Sequence, residues 1–323
     1  MSRPAAGDTG VSTLGLVIHP SRPVGESVAT ILGWARTHSV RVVGRDQDRD
    51  RIGQGIETVP DHRFVAQVDG VVALGGDGTM LGAMRLVVER PVPVLGVNHG
   101  NLGFLVEITP DTLDRALARM VDGDFTVESH SCLVTDCSGG PPLRTGTGFN
   151  DIVLAQQRRT GTVSVDLGVN DEQYGYYRCD ALVVATPSGS TAYNYAAGGP
   201  VVSPSARTMV ITPVAPMAGI GRSVVLGTGD RVSLRIAPDS RPVDVDVDGT
   251  PSAELGPGRV LTVCLREDAG QVVRFSTSRY TRRSQIKLSL LDLPMRRDQL
   301  LGLFPEHLRP PTTGPAPERE NPW

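Results

Sequence analysis

Short apolar runs and helical stretches take turns along the first 124 residues. The run 14–18 reads as a strand, 25–36 as a helix and 40–43 as a second strand. A third strand, 70–74, leads through Gly-Gly-Asp-Gly into a helical stretch over 79–88. A fourth strand, 93–97, is followed by a helix over 111–121. Strands separated by helices imply right-handed crossovers and a parallel sheet covered on both faces. After about Phe125 the pattern becomes strand upon strand. Residues 162–169 alternate, turn at Asn170-Asp171-Glu172 and return through 174–177 as a hairpin. Further short strands are expected at 181–185, 209–212, 231–236, 243–247, 260–265 and 271–276, with one helix beginning near Ser190. No repeat of 20–50 residues is present.

The expected fold is therefore an α/β amino-terminal domain with a parallel, Rossmann-like sheet, plus a β-rich, sandwich-like carboxy-terminal domain. The expected organisation is a disordered leader (1–12), the α/β domain (13–124), the β-rich domain (125–279) and a Pro-rich disordered tail (305–323). A helical segment, 280–304, is expected to return to the first domain.

Composition narrows the partners. At 323 residues, with 39% hydrophobic and 21% charged positions, the chain can bury large cores without disulfide or metal staples. A net charge of −3 gives no attraction to a nucleic-acid backbone or an anionic membrane, so neither is expected as a partner. No apolar run reaches the ~20 residues of a membrane span, and the amino terminus lacks a signal-peptide core. A cytoplasmic location is expected. Of 32 basic residues a single one, Lys287, is lysine. That excludes a Walker-type phosphate loop, which needs a lysine after its second glycine. The four cysteines, Cys132, Cys137, Cys179 and Cys264, form no CxxC and read as buried thiols.

Three segments carry candidate chemistry. In Gly75-Gly76-Asp77-Gly78-Thr79 the glycines let a ligand touch the backbone, and a helix start adds unpaired amides and a positive dipole end. That makes a cradle for phosphates. Asp77 is a carboxylate in such a cradle, suited to a divalent cation or to taking a proton from an attacking hydroxyl. Asn150-Asp151 sets an amide suited to an adenine edge beside a carboxylate suited to ribose hydroxyls, although the pair also fits an ordinary turn. Thr186-Pro187-Ser188-Gly189-Ser190-Thr191-Ala192-Tyr193-Asn194 is a hydroxyl-rich loop at a helix start. Ser190 or Thr191 could cap that helix, and Tyr193 offers a flat face. Arg178 and Asp180, upstream, could hold a phosphate and a sugar or amide. Asp244, Asp246 and Asp248 resemble the start of a calcium loop, but the glutamate due at its twelfth position is Leu255. Alternating valines fit a strand better.

Taken together and in this order, these segments resemble the NAD kinase family over about residues 14–290. The resemblance rests on Gly75–Thr79, on Gly96-Val97-Asn98 with Leu102-Gly103-Phe104-Leu105, on Asn150-Asp151, on Thr186–Tyr193 and on Val247-Asp248-Gly249. Gly-Gly-Asp-Gly is also similar in diacylglycerol and sphingosine kinases; the Thr-Pro-Ser-Gly-Ser-Thr-Ala-Tyr run separates the families.

The resemblance implies transfer of a phosphoryl group from ATP to the 2′-hydroxyl of the adenosine ribose of NAD, with a divalent metal, probed first as Mg²⁺. It implies a homodimer or homotetramer. It casts Asp77 as general base beside the ribose, and Gly75, Gly76, Gly78 and Thr79 as facing phosphates. Asn150 and Asp151 would hold adenine and ribose. Ser190, Thr191, Ala192, Tyr193 and Asn194 would line the adenosine pocket, and Arg178 and Asp180 would reach the nicotinamide half across a subunit interface. The chain departs from the family at Asp151 (usually Glu), Ala181 (commonly Gly), Met217 (a His-like position) and around 285–291. These departures motivate two alternatives: a non-catalytic dinucleotide-binding paralogue, or a kinase for another hydroxylated small molecule or lipid.

Overall fold

The structure, a computed structural model, describes residues 11–100, 103–138, 143–156 and 161–276. The expected tail and the returning segment 280–304 lie outside the described residues. Val11 and Ser12, placed in the disordered leader, are instead tied down: Val11 is buried and the Ser12 hydroxyl donates to Asp69 Oδ2 at 2.7 Å.

The first half runs β1 (Thr13–Ile18), α1 (Gly25–Thr37), β2 (Arg41–Arg45), α2 (Arg49–Ile52), β3 (Glu57–Val59), α3 (Asp61–Gln67), β4 (Gly70–Gly75), α4 (Asp77–Leu86), β5 (Pro93–Asn98) and α5 (Leu113–Val121). The strands pair in parallel in the order β5-β4-β1-β2-β3. Every residue of β1 and β4 is buried, as a central parallel strand covered on both faces requires. α5 turns Leu113, Ala116, Leu117 and Met120 inward at helical spacing. The short elements α2, β3 and α3 went unread in the sequence because none spans two turns or alternates for long.

The second half runs β6 (Thr126–Ser138), β7 (Thr147–Gly148), β8 (Asp151–Gln156), β9 (Val163–Val169), β10 (Glu172–Cys179) and β11 (Ala181–Ala185). It continues through α6 (Tyr193–Ala196), β12 (Thr208–Val214), β13 (Ala218–Gly219), β14 (Val224–Gly227), β15 (Arg231–Ile236), β16 (Val243–Val247), β17 (Thr250–Leu255) and β18 (Val260–Arg274). The expected β9–β10 hairpin is present. Asn170 and Asp171 both take positive φ, 53° and 70°, as a primed two-residue turn demands.

An antiparallel sheet, β14-β12-β11-β8-β16-β17, faces the β13-β10-β9-β15 part of the long sheet. Val163, Val165, Leu167, Tyr177 and Leu234 of the long sheet share one core with Ile152, Leu154, Leu182, Val184, Ile211 and Val245 of the other. That interior makes the half a sandwich.

Two expectations change. The strands 260–265 and 271–276 are one strand, β18, because β6 pairs along its length across an irregularity between Arg266 and Gly270. Its first part pairs antiparallel with β15 and its end pairs parallel with β5, at Gln271↔Pro93 and Val272↔Val94. The helix expected near Ser190 is a single 3-10 turn (Gly189–Thr191) followed by the four-residue α6, with no side-chain cap. The helix stops where Gly198 turns to positive φ, 82°, and the Gly198 and Gly199 amides donate to the Tyr195 and Asn194 carbonyls at 2.9 Å. All four cysteines are free, and burial pushes the Cys132 and Cys179 thiols up to about 12.

α3 is held by one ring. Phe64 is fully buried and lies so close to β1 that a Cβ on Gly15 would overlap it. Phe64→Ala is expected to lower the free energy of unfolding by about 3–5 kcal/mol. Urea denaturation checks this, and a loss below about 1 kcal/mol would show that the ring does not carry that packing.

Candidate active site

Parallel strands present their functional loops at their carboxyl ends. β4 and β5 lie side by side there, with Gly75 opposite Asn98, and the His99 amide donates to the Gly75 carbonyl at 2.9 Å. This register brings the loop after β5 against the glycine loop after β4. The Asp77 carboxylate closes the gap. Phe104 N–H donates to Oδ1 and Oδ2 at 3.0 and 2.9 Å, and Leu105 N–H donates to Oδ1 at 2.9 Å. The approach needs Gly103, because a Cβ there would overlap Asp77 Oδ1 and stand 2.9 Å from its Cγ.

The three glycines of the loop differ. A Cβ at Gly76 or Gly78 would meet nothing within 4 Å, so both present open backbone. Gly75 is glycine for an internal reason: a Cβ there would overlap the Thr79 hydroxyl and stand 2.7 Å from Thr79 Cβ. Gly75 therefore supports the turn and does not face outward as expected. Thr79 is buried, and its Oγ1 has no partner among the described residues. Gly76, Asp77, Gly78 and Thr79 line a cleft of about 500 Å³ with His19, Arg22 and Arg45. Burial, then Arg22 and Arg51, hold the His19 imidazole below its usual range.

Asn150 and Asp151 are fixed from an unexpected side. Asp248, whose side chain is fully buried, accepts the amides of Phe149, Asn150 and Asp151 at 3.0, 2.7 and 3.2 Å. Its Oδ2 lies 3.2 Å from Nη2 of Arg85 in the last turn of α4, the helix that Asp77 begins. Phe149 packs beside Met84 of that helix, both within 3 Å of where a Cβ on Gly270 would stand. Asp244 and Asp246 alternate with the buried Val243, Val245 and Val247, as a one-faced strand requires.

Asp151 is 5% exposed. Burial, and then the Asp248 carboxylate, push its carboxyl up to about 6, against the pull of the Tyr193 amide. Asp151 and Tyr193 are thereby brought together. Gly189 presses on Asn150 so closely that a Cβ would overlap the Asn150 carbonyl, and the Thr186 hydroxyl bridges the Phe149 carbonyl and the Gly189 amide at 2.7 and 2.9 Å.

The hydroxyl-rich loop divides in two. Ser190 and Asn194 are fully buried. The Ser190 hydroxyl donates to the Pro187 carbonyl at 2.6 Å and accepts from Val202 N–H at 3.0 Å, and Asn194 Oδ1 accepts from the Thr212 hydroxyl at 2.7 Å. These two, expected on the pocket surface, form the frame behind it. Thr191, Ala192 and Tyr193 are half-buried. Tyr193 and Asp180 line a second cleft of about 730 Å³, with Arg144, Asp244, Asp246 and Glu254. Arg178 is exposed on β10, paired with Ala218 of β13, and is not among the residues lining that cleft.

Sequence reasoning missed Asp248 as an acceptor of amides, its partner Arg85, and a buried group of Arg274, Glu128, His130 and Glu107. The available signal was an arginine in the apolar run 271–275 and an acid and a histidine in strand 126–134. Their partners are far off in sequence, so nothing local marks them.

Residues 23–125 match the family model of the ATP-NAD kinase N-terminal domain and residues 149–275 that of the ATP-NAD kinase C-terminal domain. The chain belongs to the NAD kinase family, and is a phosphotransferase. It is 32% identical to NAD kinase 1 of Streptomyces avermitilis, over 93% of this chain and 94% of that protein. It is 34% identical to the NAD kinase of Azotobacter vinelandii, over 68% and 76%. In fold it is similar to yeast NADH kinase complexed with NADH (TM-score 0.79, 22% identity, 89% and 90% covered). It is also similar to an NAD kinase from Archaeoglobus fulgidus in complex with ATP (TM-score 0.65, 23% identity, 86% and 98% covered). Among the described residues no helix is long and apolar enough to cross a membrane.

Two predictions follow from this geometry. Gly103→Ala is expected to cost about 1–3 kcal/mol through overpacking. In an Asp77→Ala background, which itself loses the bonds to the Phe104 and Leu105 amides, Gly103→Ala should cost clearly less, because the atoms in conflict are gone; thermal or urea unfolding of both single variants and the double variant tests this, and an equal cost in the two backgrounds would refute it. Asp151 titrates near 3.8 when unfolded and near 6 when folded. The folded state therefore holds the proton more tightly, so the contribution is full below pH 3.8 and is lost as pH rises through 6. Wild type is expected to lose roughly 3 kcal/mol over that window relative to Asp151→Asn. Parallel stability–pH curves for the two proteins would refute the assignment.

Proposed function

We propose that this protein moves the terminal phosphoryl group of ATP onto the 2′-hydroxyl of the adenosine ribose of NAD, giving NADP and ADP. One observation carries the reading. The Asp77 carboxylate is fixed by two main-chain amides at a glycine loop whose Gly76 and Gly78 are open to a ligand. Oδ2 takes a single amide and so can accept a hydroxyl proton. The sugar oxygen gives its proton to Asp77 and bonds to the terminal phosphorus, while the bond from that phosphorus to the bridging oxygen breaks and its electron pair leaves with ADP. Catalysis of this kind is mainly positioning and charge stabilisation. The first-turn amides of Asp77 and Gly78, which a helix leaves without internal partners, and the guanidinium group of Arg22 supply the positive field around the phosphates, while Arg45 in the same cleft is paired with Asp61.

Gly75 and Thr79 hold the loop in shape. Asn150, Thr191, Ala192 and Tyr193 meet the adenosine. Ser190 and Asn194 support them from behind, and Asp151 fixes the Tyr193 main chain. Asp180, in the second cleft beside Tyr193, takes the far half of the dinucleotide, and Arg178, exposed near the end of β10, reaches that half across a subunit interface. A homodimer or homotetramer is supported by the exposed Tyr174, Tyr176 and Met217 along the β10–β13 edge.

A divalent metal has no dedicated seat here: no three His, Cys, Asp or Glu side chains come together as ligands among the described residues. The cation arrives with the donor, as its metal–nucleotide complex, and would offset charge on the phosphates.

Incubation with NAD, ATP and Mg²⁺ is expected to yield NADP, and Asp77→Asn to lower kcat by about 10²–10⁴-fold while calorimetry still detects NAD. Binding of NAD by well-folded wild type without turnover would make the protein a non-catalytic dinucleotide binder. Turnover of other hydroxylated acceptors, with NAD inert, would make it a kinase of different substrate. Polyphosphate and NADH run in parallel define donor and acceptor.

A further inference from the structure

Arg274, the last residue of β18, is among the largest fully buried side chains of the protein, at 2% exposure. A buried guanidinium is tolerated where its donors are all engaged. Here Nη2 donates to the Phe104 carbonyl at 3.0 Å and Nη1 to the Leu105 carbonyl at 3.0 Å and Glu107 Oε2 at 3.2 Å. Nε donates to Glu128 Oε2 at 2.5 Å. Phe104 and Leu105 are the residues whose amides hold Asp77.

The geometry is tightest in one peptide unit. The carbonyl of Phe104 and the N–H of Leu105 belong to the same planar group. Its oxygen accepts from Arg274 and its N–H donates to Asp77 Oδ1 at 2.9 Å. Rotating that peptide would break both bonds together, and bonds in series polarise one another. The restraint continues on the other side of the guanidinium. Glu128 Oε1 lies 3.3 Å from His130 Nε2, and His130 Nδ1 lies 3.0 Å from the Ser188 hydroxyl. Ser188 belongs to the hydroxyl-rich loop, and its carbonyl accepts from Thr191 at 3.2 Å.

We propose that Arg274 is a positioning residue for Asp77, acting through the Phe104–Leu105 peptide, with Glu128 and His130 carrying the same restraint to Ser188. This rests on the phosphoryl-transfer reading of Asp77. A planar fork is what the task needs. A lysine could balance the carboxylates, but its single nitrogen cannot span the Phe104 and Leu105 carbonyls and Glu128 together.

The test compares Arg274→Lys and the near-isosteric Glu128→Gln with wild type in the full chain, reading kcat, KM for NAD and ATP, and hydrogen exchange at the Phe104 and Leu105 amides. Arg274→Lys is expected to lower kcat by about 10–100-fold, with both KM values within about 3-fold. Exchange at the two amides should accelerate while that in β4 does not. In an Asp77→Asn background the same substitution should cost little further kcat, since its effect passes through that carboxylate. Glu128→Gln, whose site is less deeply buried, should give a smaller loss of the same pattern and carries the test if Arg274→Lys does not fold. Unchanged kcat in a folded variant, raised KM at constant kcat, or an undiminished loss in the Asp77→Asn background overturns the proposal. If wild type itself makes no NADP, the activity reading fails, and the exchange measurement alone decides the positioning: unaltered protection at Phe104 and Leu105 overturns it.

Discussion

The Asp77 carboxylate accepts the Phe104 and Leu105 amides, and the Asp248 carboxylate accepts those of Phe149, Asn150 and Asp151. Loop backbone inside a protein must find partners for its N–H groups. In both places an aspartate from a distant segment supplies them. The first contact joins the loops after β4 and β5. The second joins the start of β8 to the β16–β17 turn, and through Arg85 to the helix that begins at Asp77. The loop after β5 and the segment 149–151 are thus each shaped by an acid that sequence proximity does not provide. Charged acceptors make these bonds stronger than neutral ones, which suits them to fixing short, glycine-rich backbone.

Much of the scaffold was legible in the sequence, for reasons tied to particular residues. The all-buried β1 and β4 show as uninterrupted apolar runs, and the β9–β10 hairpin shows as alternation around Asn170-Asp171. Gly-Gly-Asp-Gly between a strand and a helix marks the site because spacing and residue type are both local. What failed depends on partners 97 to 170 residues away, such as Asp248 with Asn150–Asp151 and Arg274 with Phe104 and Leu105. The hydroxyl-rich loop misled in a different way. Ser190 and Asn194 have the composition of a binding surface, yet their polar groups are taken by the loop and by Pro200, Val202 and Thr212 behind it. Composition identifies groups able to hydrogen-bond; only packing decides whether water, ligand or backbone receives the bond. Gly75 makes the same point, since its missing side chain accommodates Thr79 and not a ligand.

Charge is distributed with the same economy. Glu128 is buried, which alone would raise its carboxyl, but His130 and then Arg274 outweigh that and hold it at about 2. Asp151, also largely hidden but near a second carboxylate, moves the opposite way. These two acids therefore differ in proton affinity because one is bonded by the Arg274 guanidinium and lies against His130, and the other faces Asp248. Environment, not residue type, sets which of them releases its proton first as pH rises.

β18 belongs to both halves of the molecule. Its first residues ladder onto β15 in the sandwich, its last residues run alongside β5 in the parallel sheet, and β6 accompanies it throughout. Swinging the two halves apart would tear main-chain ladders on a shared beam. The described residues are consequently built as a rigid chassis rather than a clamshell, and motion around the site is left to its surface loops rather than to a hinge between the halves.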